Sequence, residues 1–415
     1  MSQLHTLKNG IRVIIDPMPS LETVAFGAWA QAGSVDEREE EHGIAHLLEH
    51  MAFKGTERRS ARDIAEEIES VGGYLNAATS HQRTGYYVRL LKDDVELGAD
   101  IIADILQHPR FDDGELEKEK EVVVQEIGEA ADTPDDVVFE LLQEATWDGD
   151  PLARPILGTP QSVRAQSPGS LRGFMDRCYS AQTLVIAAAG NINPDEFLPL
   201  VESRFGTFPA NGEGAARTIP SFKGGVRHDA REVEQTHLAV ALPGASSRDD
   251  DFFATRIFAD ALGGGMSSRL FQKIREERGL AYSVYAFADG YDDCGLIGAY
   301  VGADASQISD AARLIRSEIE GMAAGSTQIE IDRARAMLRS SLMMSLESPA
   351  ARIESAASQL FTFDRIMTPE EITERLGAVT RKDVERCAAR ALEGAFSVSL
   401  VGSGDASEVA RVFET

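Results

Sequence analysis

Five residues carry the clearest chemistry in this chain: His46-Leu47-Leu48-Glu49-His50. On a helix, side chains four apart share a face, roughly 5–6 Å apart at Cβ, so both imidazoles can reach one metal ion. Glu49 stands beside the second histidine, where a carboxylate can take a proton from water held by that ion. The order reverses the better-known zinc-peptidase motif, in which glutamate follows the first histidine. With eight histidines in 415 residues, chance produces such a pattern in on the order of one chain in a hundred, and the bland alternative is a solvated helix with two satisfied histidines. Its surroundings decide its meaning.

A catalytic zinc usually takes three protein ligands and one water. Downstream, residues 113–129 read as one long helix capped by Asp112 or Asp113. Most glutamates there belong on a solvated face. Glu126 differs, because it sits among Val122, Val123, Val124 and Ile127. A carboxylate turned toward a core needs a partner, and a divalent cation supplies one. Glu119 lies seven residues earlier, two turns away on the same face.

Beyond the motif, 415 residues exceed one ordinary core and imply two or more domains. A content of 43% hydrophobic and 26% charged residues is that of a folded chain. No apolar run approaches the eighteen or so residues that span a bilayer. The first ten residues hold no basic stretch leading into an apolar one, so no secretory leader is expected. Cys178, Cys294 and Cys387 are scattered without ligand spacing and suggest a reducing, cytoplasmic setting. The net charge of −27 argues against nucleic acid and anionic membranes as partners. It fits either solubility alone or a carboxylate-lined cavity that attracts basic ligands, and composition does not choose between them.

The chain reads as two related halves. Leu184–Gly190 with Asn191-Ile-Asn-Pro after it is a buried strand, a glycine turn and a capped helix. Phe396–Gly402 and the residues after it, to Glu408, repeat that pattern 212 positions later. A similar offset relates 23–33 to 237–244, and 86–106 to 297–319. Three matches in one order suggest an internal duplication. Residues 209–226, rich in glycine and proline, read as a linker between a domain at 1–208 and another at 227–415. Asn9-Gly10 marks a hairpin before the strand Ile11–Ile15, and Ser60 with Asp63 opens a helix that closes at Gly72-Gly73. Locally paired strands and consecutive helices at 93–147 and 305–390 predict an α+β fold: two homologous α/β sandwiches, each an antiparallel-rich sheet packed with helices.

The segment His46-Leu-Leu-Glu-His-Met-Ala-Phe-Lys-Gly-Thr56, with Glu126 separated from His50 by 75 residues, resembles the pitrilysin/insulinase family of zinc peptidases. The likeness is strongest to the short-chain branch that includes mitochondrial processing peptidase, and it runs along nearly the whole chain. Asn76-Ala-Ala-Thr-Ser80, Thr84-Gly-Tyr-Tyr87, Pro151-Leu-Ala-Arg-Pro-Ile-Leu-Gly158 and the glycine-rich Gly263–Phe271 all fit it. The glycines at 263–265 lack the Gly-Lys-Ser/Thr of a phosphate loop.

The resemblance implies that His46, His50 and Glu126 ligate one zinc per chain, with Glu49 as general base and Glu119 supporting the catalytic site without touching metal. It implies substrate contacts at Phe53 and at the edge-strand residues Asn76 and Ala77, where an extended peptide adds as a further strand. Arg275 and Tyr282, seven apart, match a pair that reaches the substrate, and Tyr282 can donate to an oxyanion. Asp136 and Glu140 stand where processing peptidases hold carboxylates for an arginine near the cleavage point. Their alternative is an exposed acidic helix face. A cytoplasmic homodimeric zinc endopeptidase for unstructured peptides or flexible termini is the expectation, with basic substrates favoured if that acidic pair is functional. The rival is a non-catalytic peptide-binding or structural subunit of a heterodimer.

Overall fold

In the computed structural model, residues 2–210, 212 and 217–414 are described. Part of the expected linker, Asn211 and residues 213–216, lies outside them. The first sheet holds β1 (Gln3–Thr6), β2 (Arg12–Pro17), β3 (Thr23–Ala30), β4 (Tyr74–Thr79), β5 (Thr84–Leu91) and β6 (Leu184–Gly190), in the spatial order β1-β2-β6-β3-β5-β4. The second holds β7 (Gly225–Asp229), β8 (Thr236–Pro243), β9 (Ala281–Gly290), β10 (Gly295–Ala303) and β11 (Ser397–Val401), in the order β7-β11-β8-β10-β9. Without β1 the two orders coincide. In both, the strand from the end of the half inserts beside the first, β6 parallel to β2 and β11 parallel to β7. All other pairs are antiparallel.

The two glycines that suggested duplication do the same job. Gly190 and Gly402 end the inserted strands at φ +126° and +131°, where L side chains rarely go. A Cβ on Gly190 would lie 2.3 Å from the Thr23 carbonyl oxygen, and one on Gly402 2.7 Å from Thr236 Oγ1. Each glycine lets its strand close against the start of the neighbouring one.

The compact units depart from contiguous halves. One comprises Met1–Gly128, Arg154–Arg217 and Met344–Ile366; the other Glu129–Ala153, Thr218–Met343 and Met367–Thr415. Each half of the sequence therefore lends a helix to the other half's sheet. Helix Pro349–Phe363 packs on β6, β3 and β2, and helix Pro134–Thr146 packs on β11, β8 and β7. The strands explain why. In β2, Val13 and Ile15 join the main core of the first unit while Ile14 faces the other way; in β6, Ile186 and Ala188 alternate with Val185, Ala187 and Ala189. A strand apolar on both faces needs cover on both. The second cover comes from the exchanged helix, through Ile353, Ala357, Leu360 and Phe361.

On the other face of the first sheet lie the helices Ile44–Ala52, Val95–Gln107, Pro168–Cys178 and Pro194–Phe205. In the second unit, Phe252–Gly263, Ile308–Ala324 and Arg381–Leu392 cover the corresponding face. Linker residue Arg217 is anchored in the first unit by Asp36, at 2.7 and 2.8 Å. The glycine-rich segment is tightly packed at its start: a Cβ on Gly263 would lie 2.2 Å from the Ala286 nitrogen in β9. None of the described helices is long and apolar enough to cross a membrane.

Candidate metal centre

Helix Ile44–Ala52 buries Ile44, Ala45, Leu47, Leu48 and Met51 and leaves His46 and His50 on its remaining face. The two rings sit 4.6 Å apart between centroids. The start of this helix is heavily anchored. Gly43, at φ +86°, offers no side-chain cap. Instead the buried Glu37 carboxylate accepts from the Gly43 and Ala45 backbone N–H groups at 3.0 and 2.9 Å, meeting donors that no helical carbonyl can. Burial pushes the Glu37 carboxyl up to about 8, against the pull of those two hydrogen bonds.

Segment 154–158 closes over the same point. Backbone meets backbone at Gly43 and Gly158, where a Cβ on either would come within 2.8 Å of the other chain segment. The Pro155 carbonyl lies 2.9 Å from His42 Nε2. The end of the stretch Pro151–Gly158, conspicuous in the sequence but without a role there, thus holds the entry to the histidine helix.

Glu126, on helix Asp113–Ala131, brings Oε2 to 3.8 Å from His46 Nε2 and 3.5 Å from His50 Nε2. The ligand atoms of these three residues lie within 4.8 Å of one another, the one such His/Cys/Asp/Glu group among the described residues. A tetrahedral ion at roughly 2.0–2.1 Å from each ligand separates donor atoms by about 3.4 Å, so the donor set fits a small divalent cation with modest closing of the triangle. Burial, then the neighbouring His50, lowers the His46 imidazole to about 4, leaving it neutral and able to ligate.

Glu119 is two turns away from Glu126 and buried. Its Oε2 lies 3.2 Å from His50 Nδ1, and its Oε1 takes a 2.7 Å ion pair from Lys54. The carboxylate therefore fixes the His50 ring with Nε2 toward Glu126, as carboxylates behind metal-binding histidines commonly do. Glu49 lies near Thr79 at the end of β4, and its Oε2 is buried with no hydrogen-bond partner among the described residues. Burial raises its carboxyl, and the nearby Thr79 opposes that. A buried carboxylate with an unpartnered oxygen is able to receive a proton.

β4 ends the sheet, so its outer edge pairs with no described strand. Asn76 and Ala77 lie on it, opposite Tyr87 and Tyr86. Ala77 turns into the core; Phe53 caps the histidine helix, half-buried, with its ring 6.4 Å from Tyr86. The remaining candidates belong to the second unit. Arg275 lies 4.2 Å over the ring of the exposed Tyr282 and donates to its carbonyl at 2.9 Å. Asp136 and Glu140 share the exchanged helix Pro134–Thr146, and desolvation, then the charge of Asp136, pushes the Glu140 carboxyl up. Sequence reasoning missed Glu37, Lys54 and Thr79. Glu37 is hidden in an acidic run, Asp36 to Glu41, that reads as solvated.

Two imidazoles and a carboxylate converging on one point, beside a second carboxylate and an open sheet edge, define a hydrolytic type of metal site. The chain belongs to the insulinase family. Residues 12–160 match the model for insulinase (peptidase family M16), and 167–338 match the model for the M16 peptidase inactive domain. A Bacillus subtilis protein named as an uncharacterized zinc protease is 36% identical over 402 residues, spanning 97% of this chain and 98% of the relative. One so named from Streptomyces coelicolor is 35% identical over 419 residues, spanning 99% and 91%. Among solved structures, a Helicobacter pylori protease superposes with a TM-score of 0.89 at 19% identity, covering 97% of this chain and 99% of that one. An M16 inactive-domain protein from Pseudomonas fluorescens gives 0.90 at 21%, covering 97% and 98%.

Proposed function

We propose that the chain is a zinc-dependent endopeptidase that cleaves extended peptides lying along β4. The observation that carries this is the His46–His50–Glu126 triangle with Glu49 beside it, near Thr79 at the end of the edge strand. A zinc ion held by these three residues would polarise the scissile carbonyl and acidify the attacking water. Glu49 takes the proton from that water as its oxygen bonds to the carbonyl carbon, and passes it to the amine nitrogen as the C–N bond breaks. Glu119 and Lys54 keep His50 oriented. The β4 edge orders the peptide backbone, so a folded substrate, which has no free strand to offer, is excluded.

The finer reading has three further parts. Asp136 and Glu140 favour basic peptides through guanidinium contacts, Arg275 and Tyr282 contact substrate, and the working enzyme is a homodimer in the cytoplasm. The acidity of the chain, −27, suits basic substrates.

Glu49→Gln tests the core of the proposal. Cleavage of a disordered peptide should fall by about 100- to 10,000-fold while zinc content per chain is unchanged. Full turnover in that variant, or in the wild type stripped of zinc by chelator, would end the proposal. Light scattering behind size exclusion tests the dimer, which an active monomer of 45.0 kDa contradicts.

A further inference from the structure

The first unit contains a cavity of about 390 Å³ on the face of its sheet away from the histidine helix, lined by Trp29, Tyr74, Ala78, Tyr87, Arg89 and Glu354 among others. β4 alternation puts it there: Leu75 and Ala77 pack into the core, whereas Tyr74 and Ala78 face the cavity. The second unit shows what this space holds when it is filled. Strand register makes the two places comparable. Tyr87 lies between Gly27 and Asn76, and Tyr300 between Ala239 and Tyr285; Ala78 lies opposite Gly85, and Phe287 opposite Gly298. The exchanged helices both begin with proline, Pro134 and Pro349, which puts Phe139 and Glu354 at the same turn.

Where the first unit has Asn76, Ala78 and Glu354, the second therefore has Tyr285, Phe287 and Phe139. These rings form one cluster with Tyr300: Phe139 stacks on Tyr300 at 5.6 Å and 25°, Phe139 meets Phe287 at 5.5 Å, and Tyr285 lies 4.9 Å from Tyr300. In the first unit the Trp29 indole takes part of that space, lying over Gly85, where a Cβ would come within 2.5 Å of it. The rest stays open, walled by Tyr87 and by Arg89, whose guanidinium lies 4.4 Å over the Tyr74 ring. An incoming ring extends such a stack.

From this difference we infer that the cavity is a subsite for an aromatic side chain of a peptide added along β4. The inference rests on the proposed peptide-binding edge. A strand added there runs roughly 4.8 Å beyond β4, and every second side chain projects over the cavity face, within the reach of an aromatic residue. Recognition then favours a ring at alternate peptide positions and is indifferent to one at the positions between.

The test uses full-length, zinc-loaded Glu49→Gln protein and polar, disordered peptides in which a single Phe, or a single Glu, is moved stepwise along the sequence. Affinity should tighten about tenfold for Phe at every second position. Ala78→Phe should erase that pattern by placing in the cavity the ring that the second unit carries. Glu354→Phe, on the opposite wall and exposed, does the same if the first variant melts early. A flat Phe scan, a preference for Glu, or a pattern that survives both fillings overturns the subsite. Cleavage of the same peptides by the wild type is read separately. An alternating pattern without cleavage refutes the peptidase and leaves the subsite standing, whereas cleavage with a flat scan refutes only the subsite.

Discussion

The two units share one topology and differ where chemistry would sit. Helices Asp113–Ala131 and Gln328–Ser345 precede the exchanged helices at the same distance, which sets Glu119 and Glu126 against Ala334 and Ser341. Ala334 is buried in an apolar cluster, so the fold at that position is content with a methyl group. The counterpart of the histidine helix, Phe252–Gly263, has no histidine, and its N-cap residue Asp251 pairs with Arg386 at 2.6 Å rather than being buried under the helix start as Glu37 is. The second unit therefore shows what the architecture needs, and the first shows what it carries in addition. A buried carboxylate, an unpartnered Glu49 oxygen and an unfilled cavity each oppose stability. Such departures concentrate at functional sites.

The largest effect should come from making the first unit like the second at its third ligand. Glu126→Ser should lower cleavage on the order of a thousandfold with loss of bound zinc, yet leave the far-UV circular dichroism and melting of the metal-free chain nearly unchanged. Metal analysis beside a melting curve checks this, and retention of zinc would remove Glu126 from the site. Glu119→Ala should be milder, weakening zinc affinity about 10- to 100-fold through a loosened His50.

The aromatic cluster and the cavity predict opposite responses to truncation. Phe139→Ala should destabilise the second unit by about 2–3 kcal/mol, because it leaves a hole beside the rings of Phe287 and Tyr300. Glu354→Ala, at the matching turn, should cost less than about 0.5 kcal/mol. Urea unfolding of both variants decides, and equal losses would erase the distinction between a filled and an open space.

The last effect concerns pH. The folded Glu37 carboxyl lies near 8, above its ordinary 4.5. The native state thus holds this proton more tightly than the unfolded chain does. Its contribution is fully present below about 4.5 and is lost as pH rises through about 8. Glu37→Gln should flatten the fall in stability over that window, read as denaturation midpoints against pH for variant and wild type. Parallel curves would mean that Glu37 stays ionised on its two backbone donors.

Much of the site was legible because it is local. Two histidines at helical spacing and a glutamate beside them share a face through helix geometry alone, and Glu126 stood out as a carboxylate in an apolar stretch. The duplication was visible through Gly190 and Gly402, since only glycine suits that backbone at a close approach. The helix exchange was not, although the unbroken apolar run of β6 already demanded a second cover. Which helix supplies that cover is a matter of packing between distant segments. Glu37 was unreadable for a similar reason: nothing local distinguishes it from the exposed acids beside it.

What the amino-acid order determined by itself was the set of donors, the helix that aligns two of them and the repeated strand pattern, all consequences of short-range periodicity. The tertiary structure alone decided that Glu126 meets the histidines, that Glu119 and Lys54 brace His50, that Gly158 seats against Gly43, and that one unit keeps open a space its twin fills with rings. These depend on contacts between residues far apart in the chain, whose geometry is set by how whole faces of sheets and helices bury their apolar surface.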